Sequence, residues 1–322
     1  MADVARRAGC SVSMVSYVLR TGEKGNSAPE TRERIMRAVN ELGYKTDFAA
    51  RALRTGKSRI IGVVLPRINQ GYLHSLVMEL EGAFRKYGYS LFYSYFYGGN
   101  ERYKSFSDAM DRMSAMNVEA IITPGLQDNM PDMSIPVIIW GNDRKGFDCV
   151  YPDKTAFGFD VVKRLYENGH RRIFVAGMIE DSRYAAMKEA MCRYGLFEQA
   201  RFFNCVASAE NAVDVMRKIA GMEQRPTAVV FHSDEMAVSG IFEAYRLGIK
   251  VPQEISVIGY DNLPIGTWVA PMLTTYDQRF DVMAEELARV TVCRLKNPDV
   301  PRLSVGVEMN YIERKSFIAI TH

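Results

Sequence analysis

The chain has 322 residues, 48% hydrophobic and 25% charged, too long for one ordinary core and too apolar for a disordered chain. No run approaches the roughly 18 apolar residues of a membrane span. The N-terminus lacks the apolar segment of an export signal, so a protein that stays in the cytoplasm is expected. Five scattered cysteines without a CxxC pair read as reduced thiols, neither a disulfide framework nor a zinc site.

The net charge of +3 is unevenly spread. Residues 1–58 hold eleven Lys/Arg and six Asp/Glu, a net of +5, and the remainder carries −2. A basic head on a slightly acidic body is expected to meet a polyanion. That head opens with VARRAGCSVSMVSYVLR, Val4 to Arg20. Gly9 stops a first helix over about residues 3–8, and Ser11 can cap a second over about residues 12–19. Val4, Ala5 and Ala8 face inward, and Cys10, Val15 and Val18 close the core from the other side. Ser11 at the helix start and Val12, Ser13, Ser16 and Tyr17 then face out, at positions that reach base edges in a major groove. An ordinary helical hairpin is the alternative, but the charge and the match at every inward position favour DNA binding. A third helix is expected from the capping box Ser27-Ala28-Pro29-Glu30, with Ile35, Met36, Val39 and Leu42 on one face and Gly43 as its stop. Residues 46–58, TDFAARALRTGKS, read as a basic, alanine-rich linker able to form a short helix around Leu53.

From Arg59 the texture changes. Continuous apolar runs of strand length (IIGVVL, LFYSYFY, AIIT, PVIIW) are separated by helical stretches over about residues 72–87 and 101–116. After Asp153 the alternation restarts, with RIFVAG, RFFNCV, AVVFHSD and ISVIGYD each preceded by a helical stretch. Such alternation means βαβ units and parallel sheets, and its restart implies two α/β lobes with a ligand between them, beyond the strands' carboxyl ends. The expected organisation is a helical head over 1–45, a hinge over 46–58 and a two-lobed core over 59–322.

Catalytic signatures are missing. There is no GxSxG elbow, no GxxxxGK[ST] loop and no GxGxxG after the first strand. His74, His170, His232 and His322 lack metal-ligand spacing, and His170, after Asn168-Gly169, reads as structural. Asp234 and Asp261 each end an apolar strand without a nucleophile or metal set beside them. No enzyme, cofactor or metal is expected.

The quoted head, the segment SAPETRERIMRAVNELGY, the linker AARALRTGKS, the strand IIGVVLP and the stretches NGHRRIFVAG, PTAVVFHSDEMAVSGIFEAYRLGIKVPQEISVIGYDN and PMLTTYDQ together resemble the LacI/GalR-type bacterial transcription regulators. The resemblance spans essentially the whole chain. It implies a homodimer, or a tetramer built from it, with two helix-turn-helix heads on double-stranded operator DNA, and hinge segments whose Arg51 and Leu53 contact that DNA. It also implies a periplasmic-binding-protein-like core in which a small effector controls DNA affinity, most simply as a repressor. The effector residues it points to are Tyr72, Trp140, Arg183, Asp234 and Asp261, with Arg183 at the ligand-gripping arginine. The planar fork of Arg183 and the acceptor Asp261 suit a polyol, so a sugar-like effector is expected, with a purine or other non-sugar corepressor as the alternative. Asp234 is expected to cap the following helix rather than touch a ligand. Tyr17 stands where the family motif carries arginine, Thr46-Asp47 where it carries Pro-Asn, and Gly141 where many sugar-responsive relatives carry an acidic residue.

Overall fold

The computed structural model describes residues 1–21, 26–44, 56–67, 71–97, 101–125, 130–178, 180–197 and 202–320. The hinge positions Arg51 and Leu53, with the rest of 45–55, lie outside the described residues. The chain divides into two compact units, Met1–Ser58 and Arg59–His322.

The first unit is built from helices α1 (Ala2–Ala8), α2 (Val12–Thr21) and α3 (Pro29–Glu41). Gly9 ends α1 in the left-handed conformation, φ 62° and ψ 43°, a backbone that residues with a Cβ rarely adopt. Ser11 Oγ then accepts from the Met14 N–H at 3.1 Å and caps α2. Val4, Ala5, Ala8, Val15, Val18, Ile35 and Ala38 form the core, with Cys10 and Val39 packed at its edge. Two expectations for α3 fail. Its N-cap is Ala28, without a side-chain cap; Pro29 starts the helix one residue later than a Ser27 cap requires, and Ser27 Oγ accepts from Arg32 Nη2 instead. Met36 and Leu42 are exposed, because a three-helix core this small has room for only part of the α3 stripe.

The second unit has two lobes. In the first, a six-stranded, wholly parallel sheet runs in the order β11-β5-β4-β3-β1-β2. Its strands are β1 (Ile60–Pro66), β2 (Ser90–Phe96), β3 (Ala120–Pro124), β4 (Val137–Trp140), β5 (Asp148–Pro152) and β11 (Ser304–Val307). Helices α4 (Gly71–Lys86) and α10 (Phe280–Lys296) cover one face, and α5 (Arg102–Ala115) the other. This double coverage explains the uninterrupted apolar strands. In the second lobe, β6 (Ile173–Gly177), β7 (Phe202–Asn204), β8 (Ala228–Phe231) and β9 (Ser256–Ile258) form a parallel sheet in the order β7-β6-β8-β9. It is flanked by α6 (Lys154–Glu167), α7 (Ser182–Arg193), α8 (Ala209–Ala220) and α9 (Asp234–Arg246), with an antiparallel pair of β10 (Thr275–Asp277) and β12 (Asn310–Ile312) alongside.

The chain crosses between lobes three times, after β5, after β10 and after β11. The second passage matters most: α10 and β11 come from the C-terminal part of the chain but complete the first lobe. Arg294 of α10 is buried and donates two hydrogen bonds, at 2.7 and 2.9 Å, to Asp148 at the start of β5. Burial alone would raise the Asp148 carboxyl, but Arg294 and the Leu303 N–H hold it below its ordinary range. His170, fully buried, has Thr227 Oγ1 and the Ile318 carbonyl each 3.0 Å from its ring nitrogens, a structural role as expected. Among the described residues, no helix is long and apolar enough to cross a membrane.

Candidate functional site

Between the two lobes of the second unit lies a cleft of about 560 Å³. Its walls come largely from residues just past the carboxyl ends of parallel strands, where the chain must turn and its side chains converge. Trp140 ends β4, Gly141 and Asn142 follow it, and Asp181 and Arg183 follow β6. His232 and Glu235 follow β8, and Tyr260 and Asp261 follow β9. Tyr72, in the first turn of α4, closes the first-lobe side with its ring edge-on to Trp140, centroids 6.1 Å apart. Four of the five expected effector residues, Tyr72, Trp140, Arg183 and Asp261, therefore share one cavity.

The fifth does not line it. Asp234 is fully buried, accepts from the Leu263 N–H at 2.7 Å and from the Thr275 hydroxyl, and braces the turn after β9. Nor is it the helix cap, because Ser233 caps α9 through Met236 N. The carboxylate points under the turn, where two donors of the lobe meet it, and burial pushes it up to about 6.

Arg183 is held in an unexpected way. Its Nε and Nη2 donate to the two oxygens of Asp181 at 2.9 and 3.0 Å, and Nη1 donates to the His232 carbonyl at 2.9 Å. His232 Nε2 lies 2.6 Å from Nη2, and the guanidinium lies over the Tyr260 ring, 4.1 Å from its centroid. Most of the fork is thus spent on the wall itself. Burial would raise the Asp181 carboxyl, but Arg183, by charge and hydrogen bonds, and Lys154, 3.7 Å away, hold it well below the carboxylate range. Burial, with the Arg183 charge beside it, pushes His232 down to about 3 and keeps the imidazole neutral, able to accept from Arg183. A Cβ on Gly177 would stand 2.7 Å from His232 Nδ1, so the imidazole packs where only glycine leaves room.

Lys154 starts α6 and donates to Asn142 of the first lobe at 2.8 Å; burial and then the Arg183 charge lower its pKa, against the pull of Asp181. Glu235 accepts from Gly71 N across the cleft at 3.0 Å. Asp261, buried at positive φ, accepts from Gln278; burial, reinforced by Asp234, keeps its carboxyl well above the ordinary value. Asp181, Lys154, His232, Glu235, Tyr260 and Gln278 were not anticipated as site residues. The signal for two of them was present, an Asp-Ser-Arg start to a helix three residues beyond RIFVAG and a His directly after AVVF. Among the described residues, no group of three His, Cys, Asp or Glu is placed to hold a metal ion.

In the head, Val12, Ser13 and Met14 are exposed at the start of α2, and Val12 leaves 46% of its surface to solvent. Ser11 is exposed but its Oγ is engaged as the cap, and Ser16 is half-buried. Tyr17 departs from the outward-facing expectation. Its ring packs against the head core and its hydroxyl accepts from Asn26 N at 3.0 Å, because an aromatic ring at that position reaches apolar surface an arginine would leave.

A three-helix head with a glycine turn, on one chain with a two-lobed parallel α/β core, defines a class of bacterial regulatory protein. Residues 1–47 match the family model described as bacterial regulatory proteins, lacI family, and residues 162–317 match the periplasmic binding protein-like domain. The chain belongs to the LacI/GalR family and is a transcriptional regulator of that family. It is 29% identical over 327 residues to the HTH-type transcriptional repressor PurR of Erwinia tasmaniensis, covering 98% of this chain and 95% of that one. The PurR of Vibrio parahaemolyticus is 28% identical, with 92% of each chain covered. Among solved structures, the fold matches the lac repressor dimer bound to operator and the anti-inducer ONPF, with a TM-score of 0.81 at 20% identity over 98% of each chain. It also matches the transcriptional regulator CelR in complex with cellobiose, with a TM-score of 0.73 at 21% identity over 98% of each chain.

Proposed function

We propose that this protein is a cytoplasmic, operator-binding repressor whose affinity for DNA is set by a small sugar-like effector held between the core lobes. The observation that carries this reading is the cleft: one cavity, walled from both lobes by hydrogen-bonding and aromatic side chains, on a chain that also bears an exposed recognition-helix face. A ligand touching both walls favours one arrangement of the lobes over others, and so biases whatever the head does. The head supplies Ser11, Val12, Ser13 and Ser16 towards the groove, with Tyr17 bracing the helix from the core side, and the hinge supplies Arg51 and Leu53. Tyr72 and Trp140 offer rings to a sugar face, and Asp261 offers an acceptor to its hydroxyls. A volume of about 560 Å³ has room for a disaccharide, which matches the cellobiose of the CelR complex.

The protein acts as a homodimer in this reading. Phe242, Tyr245 and Trp268 of the second lobe, 65%, 83% and 78% exposed, are large rings that a partner copy would cover. A second reading, with a purine or other non-sugar corepressor, is favoured by the PurR relatives at 26–29% identity along nearly the whole chain. One experiment tests both. Fluorescence anisotropy on operator selected from random DNA is run with sugars and with purine bases. A sugar that weakens binding supports repression relieved by an inducer, and a base that tightens it supports the corepressor. Weak binding that is insensitive to salt refutes DNA recognition, because several phosphate contacts impose a slope of several log units per decade of salt.

A further inference from the structure

Two buried polar atoms of the cleft walls have no hydrogen-bonding partner: Trp140 Nε1 and Tyr260 Oη. Both side chains line the cavity, both are more than nine-tenths buried, and they stand on opposite lobes, Trp140 at the end of β4 and Tyr260 just past β9. Their neighbours do not compensate. Tyr72 meets Trp140 only through its ring, and Arg183 covers the face of Tyr260 while spending its N–H groups on Asp181 and His232. A buried donor left unmet is costly, and native interiors rarely tolerate one without a reason.

We propose that Trp140 Nε1 and Tyr260 Oη are the specificity-determining donors of the effector site, one on each lobe, and that the effector presents a hydrogen-bond acceptor to each. This rests on the reading of the cleft as an effector site and adds what the cleft reads. It also adds why effector and lobe closure are linked. The closed arrangement strips both donors of water, so without a ligand it carries two unmet groups. A ligand with two suitably spaced acceptors satisfies both at once and only when the lobes are together. An acceptor-poor molecule of the same size fills the volume but leaves the closed form costly.

Tyr260→Phe removes one donor and keeps the ring under Arg183; Trp140→Phe removes the other. Full-length wild type and both variants are melted alone and with cellobiose, sucrose, guanine and hypoxanthine, and the affinity of any compound that raises the wild-type melting point is measured by calorimetry. The expected result is that each variant binds that compound about tenfold or more weakly. Tyr260→Phe, freed of an unmet hydroxyl, melts at or above the wild type when no compound is present. Undiminished affinity in both variants overturns the proposal. So does a lower unliganded melting point for Tyr260→Phe, which marks the hydroxyl as already satisfied within the fold. If none of the four compounds shifts the wild type, the unliganded melting points decide alone. The effector reading fails differently: a compound that binds, is read by both donors and leaves operator affinity untouched refutes regulation and leaves the donors in place.

Discussion

Replacing Arg183 by alanine takes from Asp181 the partner that holds both its oxygens, at 2.9 and 3.0 Å, while leaving the carboxylate about nine-tenths buried. Breaking a buried pair by removing one side typically costs about 3–5 kcal/mol. Lys154, 3.7 Å from Asp181, recovers part of that, which places the expected loss near the lower limit, about 3 kcal/mol. For a core of this size, each kcal/mol moves the melting temperature by about 2–4 °C, so a drop of about 6–12 °C at pH 7 is expected. The pH dependence gives a second, independent signature. The Asp181 carboxyl is depressed in the folded protein, so its stabilisation is fully present above the ordinary carboxylate range and is lost as pH falls through the lower, folded value. The gap between wild type and Arg183→Ala should therefore be widest at neutral pH and narrow below about pH 4. A third signature lies in His232, held down at about 3 by burial and then by the Arg183 charge; without the guanidinium its titration moves upward, which the imidazole proton resonances report. Thermal melts followed by circular dichroism across pH 3–7 decide the matter. A variant melting within 2 °C of wild type at neutral pH, or a gap that does not narrow on acidification, would falsify the account of this wall (both thresholds follow from the magnitudes above).

Three further outcomes follow from the same contacts. Asp234→Asn should flatten the decline in core stability between pH 4 and pH 6, since a carboxyl pushed up to about 6 makes the fold less stable as pH rises through that interval; an unchanged pH profile in thermal melts refutes the assignment. Tyr17→Arg should alter the half-site recovered in random-site selection by restoring a bidentate donor near the groove, at some cost in head stability because the ring leaves the core; an unaltered consensus shows that this position does not face bases. Leu53→Ser should weaken operator binding at least tenfold without moving the melting point of the core, as expected of a side chain that wedges between base steps; a lower core melting point identifies it as a packing residue.

What the sequence discloses about this protein is mostly local, and what it conceals is mostly long-range. The turn at Gly9 is legible because few residues accept a φ of 62°, and strands such as β4 and β8 are legible because burial on both faces removes every polar letter. Strand β5 reads DCVYP, with an acid at one end and a proline at the other. It becomes a strand because Asp148 meets Arg294, 146 residues away, a pairing that no local pattern announces. The cavity is legible in the alternation of strands and helices, whereas Tyr72, Trp140, Arg183 and Asp261 are singled out only through the family resemblance. The direction of a side chain at a strand end was harder to foresee. Asp234 and Glu235 are adjacent, yet one braces the turn beneath and the other reaches Gly71 across the cleft. That choice is set by which donors await each carboxylate. The capping box failed for a similar reason, since the backbone started α3 at Pro29 and left Ser27 to Arg32.

The passage of α10 and β11 back into the first lobe has a consequence for how the core holds together. A cut near residue 153 would leave the first lobe without its edge strand β11 and without the apolar face of Phe280, Met283 and Leu287 that lies over its sheet. The second lobe would keep those elements as an exposed, greasy appendage. Neither fragment is a self-sufficient folding unit, so the lobes should melt together in one cooperative transition, although a cleft lies between them. A protein that must rearrange its two halves for its working life is in this way protected from coming apart into them.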